Sequence, residues 1–345
     1  MEKVYIYTHG NDIDGIGCLI LAKLAFDNPS YSLASNIAEL EAKFEESIIR
    51  PKPSSHDENK VPLKCRLDDY NKIYVTDLCF HKNYFERLKE EPGIFEKTKV
   101  FDHHATAIKE GCNEYSNVSI VETDDSGKKR CATDLFYEYL VSQGLLKKTK
   151  ALDDFVELTR LEDTWDWKKA GKEGIKAHNL AILFNALKSD GYRKSVMRVL
   201  DKTESFTLLD ADIEIIEKKK QEDMAQLQKL WNDAEIFTDC NNNTFAAVFA
   251  NYEYRNELAE YVQSLIETGR IKEAIKYLVV IALEKGQFGQ RSYRSIENGF
   301  NVGKIAELHG GGGHESAASS NITEEMHTHV LTLNRRDALK YLVNN

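Results

Sequence analysis

The chain has 345 residues, of which 42% are hydrophobic and 30% are charged, and its formal net charge at pH 7 is −10. A chain of this length and composition can bury a sizeable core and is expected to divide into two domains. The negative charge argues against broad electrostatic capture of long nucleic acid, which usually requires a basic face, but it leaves open a short or small anionic substrate.

We expect neither a membrane span nor a signal peptide. Its longest apolar runs, such as IGCLILAKLAF and YLVVIAL, are too short to cross a bilayer, and the first residues lead into a strand pattern. The six cysteines include no CxxC pair, which argues against a zinc ribbon and against a disulfide framework. We therefore expect a soluble, cytoplasmic protein with free thiols.

The first half of the chain alternates short β-rich runs with helical patterns. This alternation predicts an α/β fold with a doubly wound parallel sheet, covered by helices on both faces. Residues 51–62 are polar and contain three of the five prolines, so they are predicted to form a surface loop. Strands are predicted at Lys3–Thr8, Lys72–Thr76, Lys99–Phe101 and Val118–Val121, and helices at Ile16–Phe26, Tyr84–Leu88 and Ala132–Leu140.

A long charged helix from about Asp210 to Asp233 is predicted to join two domains, and a second α/β pattern follows it. The expected organisation is a first domain over residues 1–205, a linker helix over residues 206–235 and a smaller second domain over residues 236–345. In the second domain, strands are predicted at Phe245–Ala250, Tyr277–Leu283 and Gln290–Ser295, and helices at Glu257–Ile266 and Val302–Leu308.

Acidic and imidazole side chains follow the ends of three predicted strands. A strand that ends in Asp commonly places its carboxylate at the carboxyl edge of a parallel sheet, where open α/β folds bind ligands. Hard oxygen ligands and imidazoles at one edge are what a two-metal hydrolase requires, so the pattern predicts a metal-dependent phosphoesterase. The residues are His9, Asp12 and Asp14 in THGNDIDGIG, Asp77 after KIYVT, and Asp102, His103 and His104 after KVF.

Each of these motifs has a simpler interpretation when it is taken alone. As part of a metal site, the DxDG segment would place alternate carboxylates on a strand-to-helix turn, where Gly15 and Gly17 let the backbone approach a ligand closely. Taken alone, the segment could be a calcium loop or a helix N-cap. Asp77 could be an ordinary turn residue after a strand. The paired histidines could face solvent. The combination of the three motifs, rather than any one of them, favours the metal site.

Six segments occur in an order that resembles a known family: THGNDIDGIG, VTDL, FDHHAT, LEDTWDW, RSYRS and HGGGGHESAAS. Together they resemble the DHH phosphoesterase superfamily with a C-terminal DHHA1 domain, over nearly the whole chain. The compact DGIGC turn, the DTWDW segment and the chain length are most similar to the nanoRNase B-type oligoribonucleases. The first domain would then be the catalytic DHH domain, and the second would bind substrate.

The resemblance implies two metal sites that share Asp77. It also implies that His104 lies by the scissile phosphate and that Asp102 orients the histidine pair. The implied ligands are His9, Asp12 and Asp77 for one metal, and Asp14, Asp77, His103 and Asp163 for the other.

The LEDTWDW segment offers competing acids, since Glu162 and Asp166 flank Asp163. Asp163 followed by Thr resembles the family motif best, and the alternative is an N-cap or a surface acid. Trp165 and Trp167 are expected to lie in the core or at a domain contact, although base stacking would suit a nucleotide substrate.

Four consecutive glycines, Gly310–Gly313, precede a histidine in the second domain. The backbone N–H groups of such a run can face an anion, and a flexible hinge is the alternative. The RSYRS strand resembles the family's substrate-contacting strand, in which a guanidinium can hold a phosphate through two hydrogen bonds. Arg291 suits this role less well. The implied substrate-binding residues are Arg294, Ser295, Gly311, Gly312, Gly313 and His314.

The resemblance implies hydrolysis of short oligoribonucleotides to mononucleotides by water that two divalent cations activate. Carboxylate and imidazole ligands without a thiolate favour Mn²⁺, with Mg²⁺ and Co²⁺ less favoured. Short RNA or a small nucleotide is the expected partner, and a homodimer is left open.

Three alternatives remain at this point. The same chemistry could act on a cyclic mono- or dinucleotide, or on 3′-phosphoadenosine 5′-phosphate. A family II inorganic pyrophosphatase shares the DHH half of the pattern, but its C-terminal domain lacks the GGGGH signature. An inactive nucleic-acid-binding scaffold of DHH type would have no need for the full set of acidic and imidazole ligands.

Overall fold

The computed structural model describes residues 2–48, 67–91, 93–202 and 204–344. The chain forms two compact units, and the boundary between them lies between residues 219 and 220. This boundary falls inside the helix Asp210–Asn232. The roles assigned to the two domains and their predicted limits stay predictions. The predicted loop at residues 51–62, as well as Cys65, lies outside the described residues.

Five strands form the sheet of the first unit. They are β1 (Val4–His9), β2 (Ser30–Ala34), β3 (Lys72–Thr76), β4 (Thr98–Asp102) and β5 (Val118–Ile120). Their order in the sheet is β2-β1-β3-β4-β5, and every neighbouring pair is parallel. Because all five strands run in one direction, their carboxyl ends meet at a single edge of the sheet.

Helices cover both faces of this sheet. They are α1 (Ile13–Ala25), α2 (Ile37–Ile48), α3 (Lys82–Leu88), α4 (Ala105–Lys109), α5 (Ala132–Ser142), α6 (Lys150–Asp163), α7 (Gly171–Lys202) and the boundary helix α8 (Asp210–Asn232). Short 3₁₀ helices occur at Leu67–Asp69, Cys112–Glu114 and Asp166–Lys169.

Side chains of β1 show why the sheet needs cover on both faces. Val4 and Ile6 join one buried cluster, which includes residues of α1, α5, α6 and α7. Tyr5 and Tyr7 point to the opposite face and join a second buried cluster with residues of α2 and α3. A strand that is apolar on both faces is typical of a parallel sheet between helical layers. The predicted doubly wound α/β fold is confirmed.

Helix α1 begins three residues earlier than predicted. Its N-cap is Asp12, whose carboxylate accepts a hydrogen bond from the Gly15 amide at 3.0 Å. The predicted start at Ile16 is therefore wrong, and Asp14 and Gly15 lie in the first helical turn. The pattern also missed five elements of the first unit: β2, α2, α4, α6 and α7.

The second unit contains a mixed sheet. Its strands are β6 (Glu235–Thr238), β7 (Thr244–Phe249), β8 (Tyr277–Ala282), β9 (Gln290–Ser295), β10 (Gly312–Gly313) and β11 (Ala317–Asn321). Their order is β10-β11-β9-β8-β7-β6, and only the β7–β8 pair is parallel among these described strands.

The helices of the second unit are α9 (Arg255–Glu267), α10 (Val302–Leu308), α11 (Glu324–Val330) and α12 (Arg335–Asn344), with a 3₁₀ helix at Tyr252–Tyr254. The predicted limits of β9 and α10 agree with those observed. The elements β6, β10, β11, α11 and α12 were not predicted. The second unit is the smaller one, as expected.

None of the described helices has the length and apolar character that crossing a bilayer requires. Within the described part of the chain, Cys18, Cys79, Cys112, Cys131 and Cys240 are all free thiols.

Candidate metal centre

Residues at the carboxyl edge of the first sheet converge on one site. His9 is the last residue of β1, and Asp102 is the last residue of β4. Asp77 follows β3 directly with a φ of 58°, a left-handed conformation that Asp tolerates better than most residues. Asp14 lies in the first turn of α1, and Asp163 is the last residue of α6. Three parallel strands and two helices thus deliver side chains to the same edge.

One group of potential ligands consists of His9, Asp12 and Asp77. The Nδ1 atom of His9 lies 2.6 Å from an Asp12 carboxylate oxygen and 3.4 Å from Asp77 Oδ2. One ligand atom from each of the three residues falls within 4.8 Å of the others. Burial lowers the pKa of His9, but hydrogen bonds to Asp12 and Asp77 outweigh this effect and raise the pKa to about 10.

A second group consists of Asp14, His103 and Asp163. The Nε2 atom of His103 lies 3.7 Å from Asp14 Oδ2, 3.4 Å from Asp163 Oδ2 and 3.5 Å from Asp77 Oδ1. These separations are too long for hydrogen bonds but suit atoms that surround a cation. Asp77 faces both groups, so the six residues form one acidic cluster.

Buried atoms of the acidic cluster lack hydrogen-bond partners. They are Asp77 Oδ2, His103 Nε2 and Asp163 Oδ2. A buried polar atom without a partner costs about 1–3 kcal/mol, so each such atom in a native structure requires an explanation. A bound cation would satisfy all three atoms.

The charges of the acidic cluster point in the same direction. Burial, together with the charges of Asp12 and Asp14, raises the pKa of Asp77 well above its ordinary value. Burial and the charge of Asp14 raise the pKa of Asp163 to about 8. The carboxylates lie close enough to repel one another. Among the described residues, only the His9 and His103 rings lie within 4.0 Å of them and could offset this repulsion when protonated. The donor set of carboxylates and imidazoles therefore fits divalent cations.

Asp14 is held by the backbone of a neighbouring helix. Its two carboxylate oxygens accept hydrogen bonds from the Ala132 and Thr133 amides at 2.8 and 2.7 Å, at the start of α5. The Thr133 hydroxyl also donates to the Asp14 carbonyl oxygen at 2.6 Å. Unpaired amides at a helix N-terminus stabilise a carboxylate. Asp14 is thereby fixed before any ligand binds.

Gly15 and Gly17 allow close packing within the protein. A Cβ atom at Gly15 would lie 2.1 Å from the His9 carbonyl oxygen, and one at Gly17 would lie 2.4 Å from Thr133 Oγ1. The expectation that these glycines let a ligand approach is therefore replaced by a packing role: they bring α1 against β1 and α5.

Asp102 and His104 form a pair beside the acidic cluster. Asp102 Oδ1 accepts hydrogen bonds from the His104 ring at Nδ1, at 2.7 Å, and from the His103 amide at 2.9 Å. The hydrogen bond to Asp102 raises the pKa of His104. The His104 ring is about half exposed, and its Nε2 atom remains for another partner.

The competing acids near Asp163 make other contacts. Glu162 lies 3.3 Å from the His178 ring, and Asp166 accepts a hydrogen bond from Arg160 at 2.9 Å. Of these three acids, Asp163 is the one whose carboxylate approaches His103.

The residues predicted to bind substrate lie on or beside two strands of the second unit, β9 and β10, which are separated in the sheet by β11. Arg294 and Ser295 end β9, and Ala317 of β11 is the register partner of Arg294. Arg294 donates from Nε to Asn256 Oδ1 at 2.7 Å and from Nη1 to the Tyr293 carbonyl oxygen at 2.8 Å. The Ser295 hydroxyl donates to the Glu297 carbonyl oxygen at 2.7 Å.

The glycine run forms part of this sheet. Gly312 and Gly313 make β10, which pairs with β11, and a Cβ atom at Gly311 would lie 2.1 Å from the Ser319 carbonyl oxygen. The alternative of a flexible hinge is therefore wrong. His314 follows β10, and its side chain is exposed.

The Arg291 side chain is buried and makes hydrogen bonds within the second unit. It is 1% exposed, and its guanidinium donates to Ser320 Oγ at 3.0 Å and to the Leu342 carbonyl oxygen at 2.9 Å. It thus links β9 to β11 and to the C-terminal helix α12.

Arg255, at the start of α9, was not among the predicted site residues. Its Nε atom is buried without a hydrogen-bond partner. Its Cζ atom lies 3.8 Å from the centre of the Tyr252 ring, and Lys285 Nζ lies 4.6 Å from the same centre. Burial and the charge of Arg255 lower the pKa of Arg294.

We call Tyr252, Arg255, Lys285 and Arg294 the basic cluster. Its signal in the sequence is weak, because Arg255 and Arg294 are far apart in the chain.

The sequence of this chain is similar to that of a characterised bacterial enzyme. The chain is 30% identical to oligoribonuclease NrnB of Bacillus subtilis (strain 168) over 333 residues, which cover 94% of this chain and 74% of the relative. No family model matches the chain.

Solved structures give a likeness of fold. A DHH domain described as a member of the s1p family of ribosomal proteins, PF0399, is 14% identical with a TM-score of 0.55, and the match covers 99% of this chain and 85% of the other. The pGpG-specific phosphodiesterase PggH of Vibrio cholerae is 12% identical with a TM-score of 0.49, over the full length of both chains. From the sequence similarity and the shared fold, the chain belongs to the DHH/DHHA1 phosphoesterase superfamily, in the branch of oligoribonuclease NrnB.

Proposed function

We propose that this protein is a metal-dependent phosphodiesterase that hydrolyses short oligoribonucleotides to mononucleotides. The observation that carries the proposal is the acidic cluster, in which carboxylates and imidazoles converge with buried atoms that lack partners. A relative that is an oligoribonuclease, at 30% identity over most of the chain, supports the choice of substrate.

The geometry suggests how the ligands divide between two cations. His9, Asp12 and Asp77 would hold one, and Asp14, Asp77, His103 and Asp163 would hold the other. Divalent cations bound there would supply the Lewis acidity that activates water and offsets the charge of the phosphodiester. The absence of thiolate among these ligands favours Mn²⁺ over softer metals.

Asp102 and His104 would act on the reacting groups from the side of the cluster. Because Asp102 fixes the His104 ring through Nδ1 at 2.7 Å, Nε2 is the atom that faces the phosphodiester or its departing oxygen. Because the His104 ring is already held in one orientation, little rotational entropy is lost when it forms a hydrogen bond to the reacting group.

The second unit would bind phosphates of the substrate. Arg294 is the main candidate, with Ser295, His314 and the amides of the glycine run Gly311–Gly313 as further contacts. Two of the Arg294 nitrogens are used by Asn256 and Tyr293, and no ion pair to Arg294 occurs in the described part of the chain. An unpaired guanidinium suits a phosphate, which it can hold through charge-assisted hydrogen bonds.

The test is a product analysis on a panel of substrates. Purified protein is incubated with Mn²⁺, Mg²⁺, Co²⁺ or chelator, and with RNA of two to five nucleotides, cyclic mono- and dinucleotides or 3′-phosphoadenosine 5′-phosphate. Mononucleotides released from short RNA, in a metal-dependent reaction, would support the proposal. If another compound of the panel is hydrolysed and short RNA stays intact, that compound and not short RNA is the substrate. No hydrolysis of any compound would indicate an inactive scaffold.

A further inference from the structure

Trp165 is in an unusual state in both its backbone and its side chain. Its φ and ψ are 63° and 10°, in the left-handed region. A bulky residue is an outlier there, whereas glycine and asparagine adopt this conformation readily. Its side chain is 54% exposed, although tryptophan is highly buried on average. Of the two environments expected for Trp165, the core and a domain contact, the core is wrong, and the turn itself does not require tryptophan.

The turn that carries Trp165 is held by other residues. The buried guanidinium of Arg160 donates from Nη1 to Asp166 Oδ2 at 2.9 Å and to the Lys129 carbonyl oxygen at 3.2 Å. The Thr164 hydroxyl donates to the Arg160 carbonyl oxygen at 2.8 Å. These contacts fix the backbone on both sides of residue 165, so the conformation of the turn does not depend on the tryptophan ring.

Trp167 has a different environment and serves as an internal comparison. Its ring stacks on the His178 imidazole, with centroids 4.1 Å apart and planes 14° apart. It also packs against the core of the first unit, as expected. Lys168 Nζ lies 4.7 Å from the centre of the Trp165 ring and 5.5 Å from that of the Trp167 ring, so this cation does not distinguish the two. Packing therefore explains Trp167 but not Trp165.

Trp165 lies close to the acidic cluster. Asp163, two residues earlier, places its carboxylate 3.4 Å from His103 Nε2. Consecutive Cα atoms are 3.8 Å apart, so the Cα atoms of Asp163 and Trp165 are separated by at most about 7.6 Å. Strained backbone of this kind clusters at active sites and ligand contacts. An exposed aromatic ring at this distance from a phosphodiester centre is well placed for the nucleoside next to the cleaved bond.

We propose that Trp165 is a platform on which a nucleobase of the substrate stacks, next to the phosphodiester held at the acidic cluster. This inference rests on the proposed function and adds a recognition element to it. Stacking accepts every base, because each base has a π face. The Lys168 ammonium beside the ring adds positive charge near the neighbouring phosphate. The platform thus strengthens binding of short RNA without selecting its sequence.

The first test compares substrates with and without a base. Trp165→Asn removes the ring and suits the left-handed backbone, Trp165→Phe keeps a smaller ring, and Trp167→Phe is the matched control. For a trinucleotide, we expect Trp165→Asn to lower kcat/KM by about 5- to 150-fold and Trp165→Phe to lower it less. Removing the base at each position of the trinucleotide in turn should reveal one position at which the wild type loses its advantage over Trp165→Asn.

Equal loss on all abasic substrates would overturn the inference, as would full activity of Trp165→Asn on the intact trinucleotide. The thermal midpoint of Trp165→Asn should stay at or above that of the wild type, because asparagine relieves the backbone strain. A fall in the midpoint would assign Trp165 a structural role instead.

Fluorescence separates this inference from the proposed activity. The chain has three tryptophans, and stacking on Trp165 should quench part of their emission when protein loaded with Mg²⁺ is titrated with a trinucleotide analogue whose linkages resist hydrolysis. Trp165→Phe should lose this quenching, and Trp167→Phe should retain it. Absence of quenching in the wild type, or its persistence in Trp165→Phe, would overturn the platform even in an active oligoribonuclease. Quenching by a wild type that cleaves no oligonucleotide would support the platform and reject the proposed activity.

Discussion

The two units differ in the sign of the charge that each gathers in one place. In the first unit, carboxylates of Asp14, Asp77 and Asp163 surround His103 at 3.4–3.7 Å. In the second unit, Arg255 and Arg294 lie near each other, and neither forms an ion pair among the described residues. Like charges repel, so each cluster is held together by the surrounding fold. Under the proposed function, each cluster would bind a partner of opposite sign: a divalent cation in the first unit and a phosphate in the second.

The pKa values express the same contrast. Burial and neighbouring carboxylates raise the pKa of Asp77, which favours its neutral form. Burial and Arg255 lower the pKa of Arg294, which also disfavours its charged form. A cation at the acidic cluster would favour the ionised form of Asp77, and a phosphate at the basic cluster would favour the charged form of Arg294. Without these ligands, both clusters lower the stability of the folded protein.

The largest expected effect is that of Asp77→Asn. Because Asp77 faces both groups of potential ligands, its loss should weaken both metal sites and lower kcat/KM for short RNA by more than about 100-fold, since changes in residues that only support metal ligands already cost 10- to 100-fold. The substitution also replaces a buried carboxyl, whose ionisation burial and neighbouring carboxylates disfavour, by a neutral amide, so the thermal midpoint of metal-free protein should rise.

Asp201→Asn is the matched control for this change, since Asp201 is exposed on α7. Near wild-type, metal-dependent turnover by Asp77→Asn would show that the acidic cluster is not the metal centre.

Metal addition should produce the next largest effect. Binding to the folded state at 100 times Kd stabilises a protein by about 2.7 kcal/mol, which for a unit of 150–250 residues corresponds to roughly 5–11 °C in thermal midpoint. We expect Mn²⁺ to raise the wild-type midpoint by this amount, chelator to reverse the change, and Asp77→Asn to respond much less. An identical response in wild type and variant would place the binding site elsewhere.

Arg294→Lys tests the opposite cluster. The ammonium keeps the charge but cannot reproduce the planar donor pair of the guanidinium. Loss of one charge-assisted contact, worth about 1.5–3 kcal/mol, implies a fall of roughly 10- to 150-fold in kcat/KM for short RNA. Metal content should not change.

Arg291→Lys provides a control on the same strand. It should lower the thermal midpoint, because Arg291 links β9 to β11 and α12. If Arg294→Lys lowered stability in the same way and left kcat/KM unchanged, Arg294 would be structural as well.

The smallest expected effect is that of Arg255→Gln. Glutamine retains a hydrogen-bond donor, so the loss in kcat/KM should correspond to about 0.5–1.5 kcal/mol, or roughly 2- to 12-fold. Removal of the positive charge beside Arg294 should at the same time raise the thermal midpoint of ligand-free protein. Arg270→Gln, at an exposed position, should change neither quantity. A fall in stability with Arg255→Gln would contradict the repulsion between the two guanidiniums.

The residues of the acidic cluster were predictable because parallel strands share an edge. His9, Asp77 and Asp102 each lie at the end of an apolar run or directly after it. In a parallel sheet such positions meet at the carboxyl edge, independently of the structure of the connecting segments. The start of α1 was misjudged because an Asp that caps a helix resembles an Asp in a loop until its hydrogen bond to the Gly15 amide is seen.

Other features depend on contacts that no local pattern records. The exposure of Trp165 follows from a turn that Arg160 holds through the carbonyl oxygen of Lys129, 31 positions away. The role of Gly313 as a strand residue depends on Ala318 of β11, a strand too short and too rich in Ala and Ser to be predicted. Arg255 gains its significance only from the distant Arg294.

Gly17 has no Cβ atom, and the geometry of the acidic cluster depends on this. A methyl group there would displace Thr133 Oγ1, which it would approach to 2.4 Å. Thr133 in turn supplies one of the amides that hold Asp14. An uncharged substitution inside a helix would thus move an acidic side chain without touching it. In a saturation scan, we expect position 17 to tolerate no side chain larger than hydrogen, although Gly17 itself carries no group that could bind a metal.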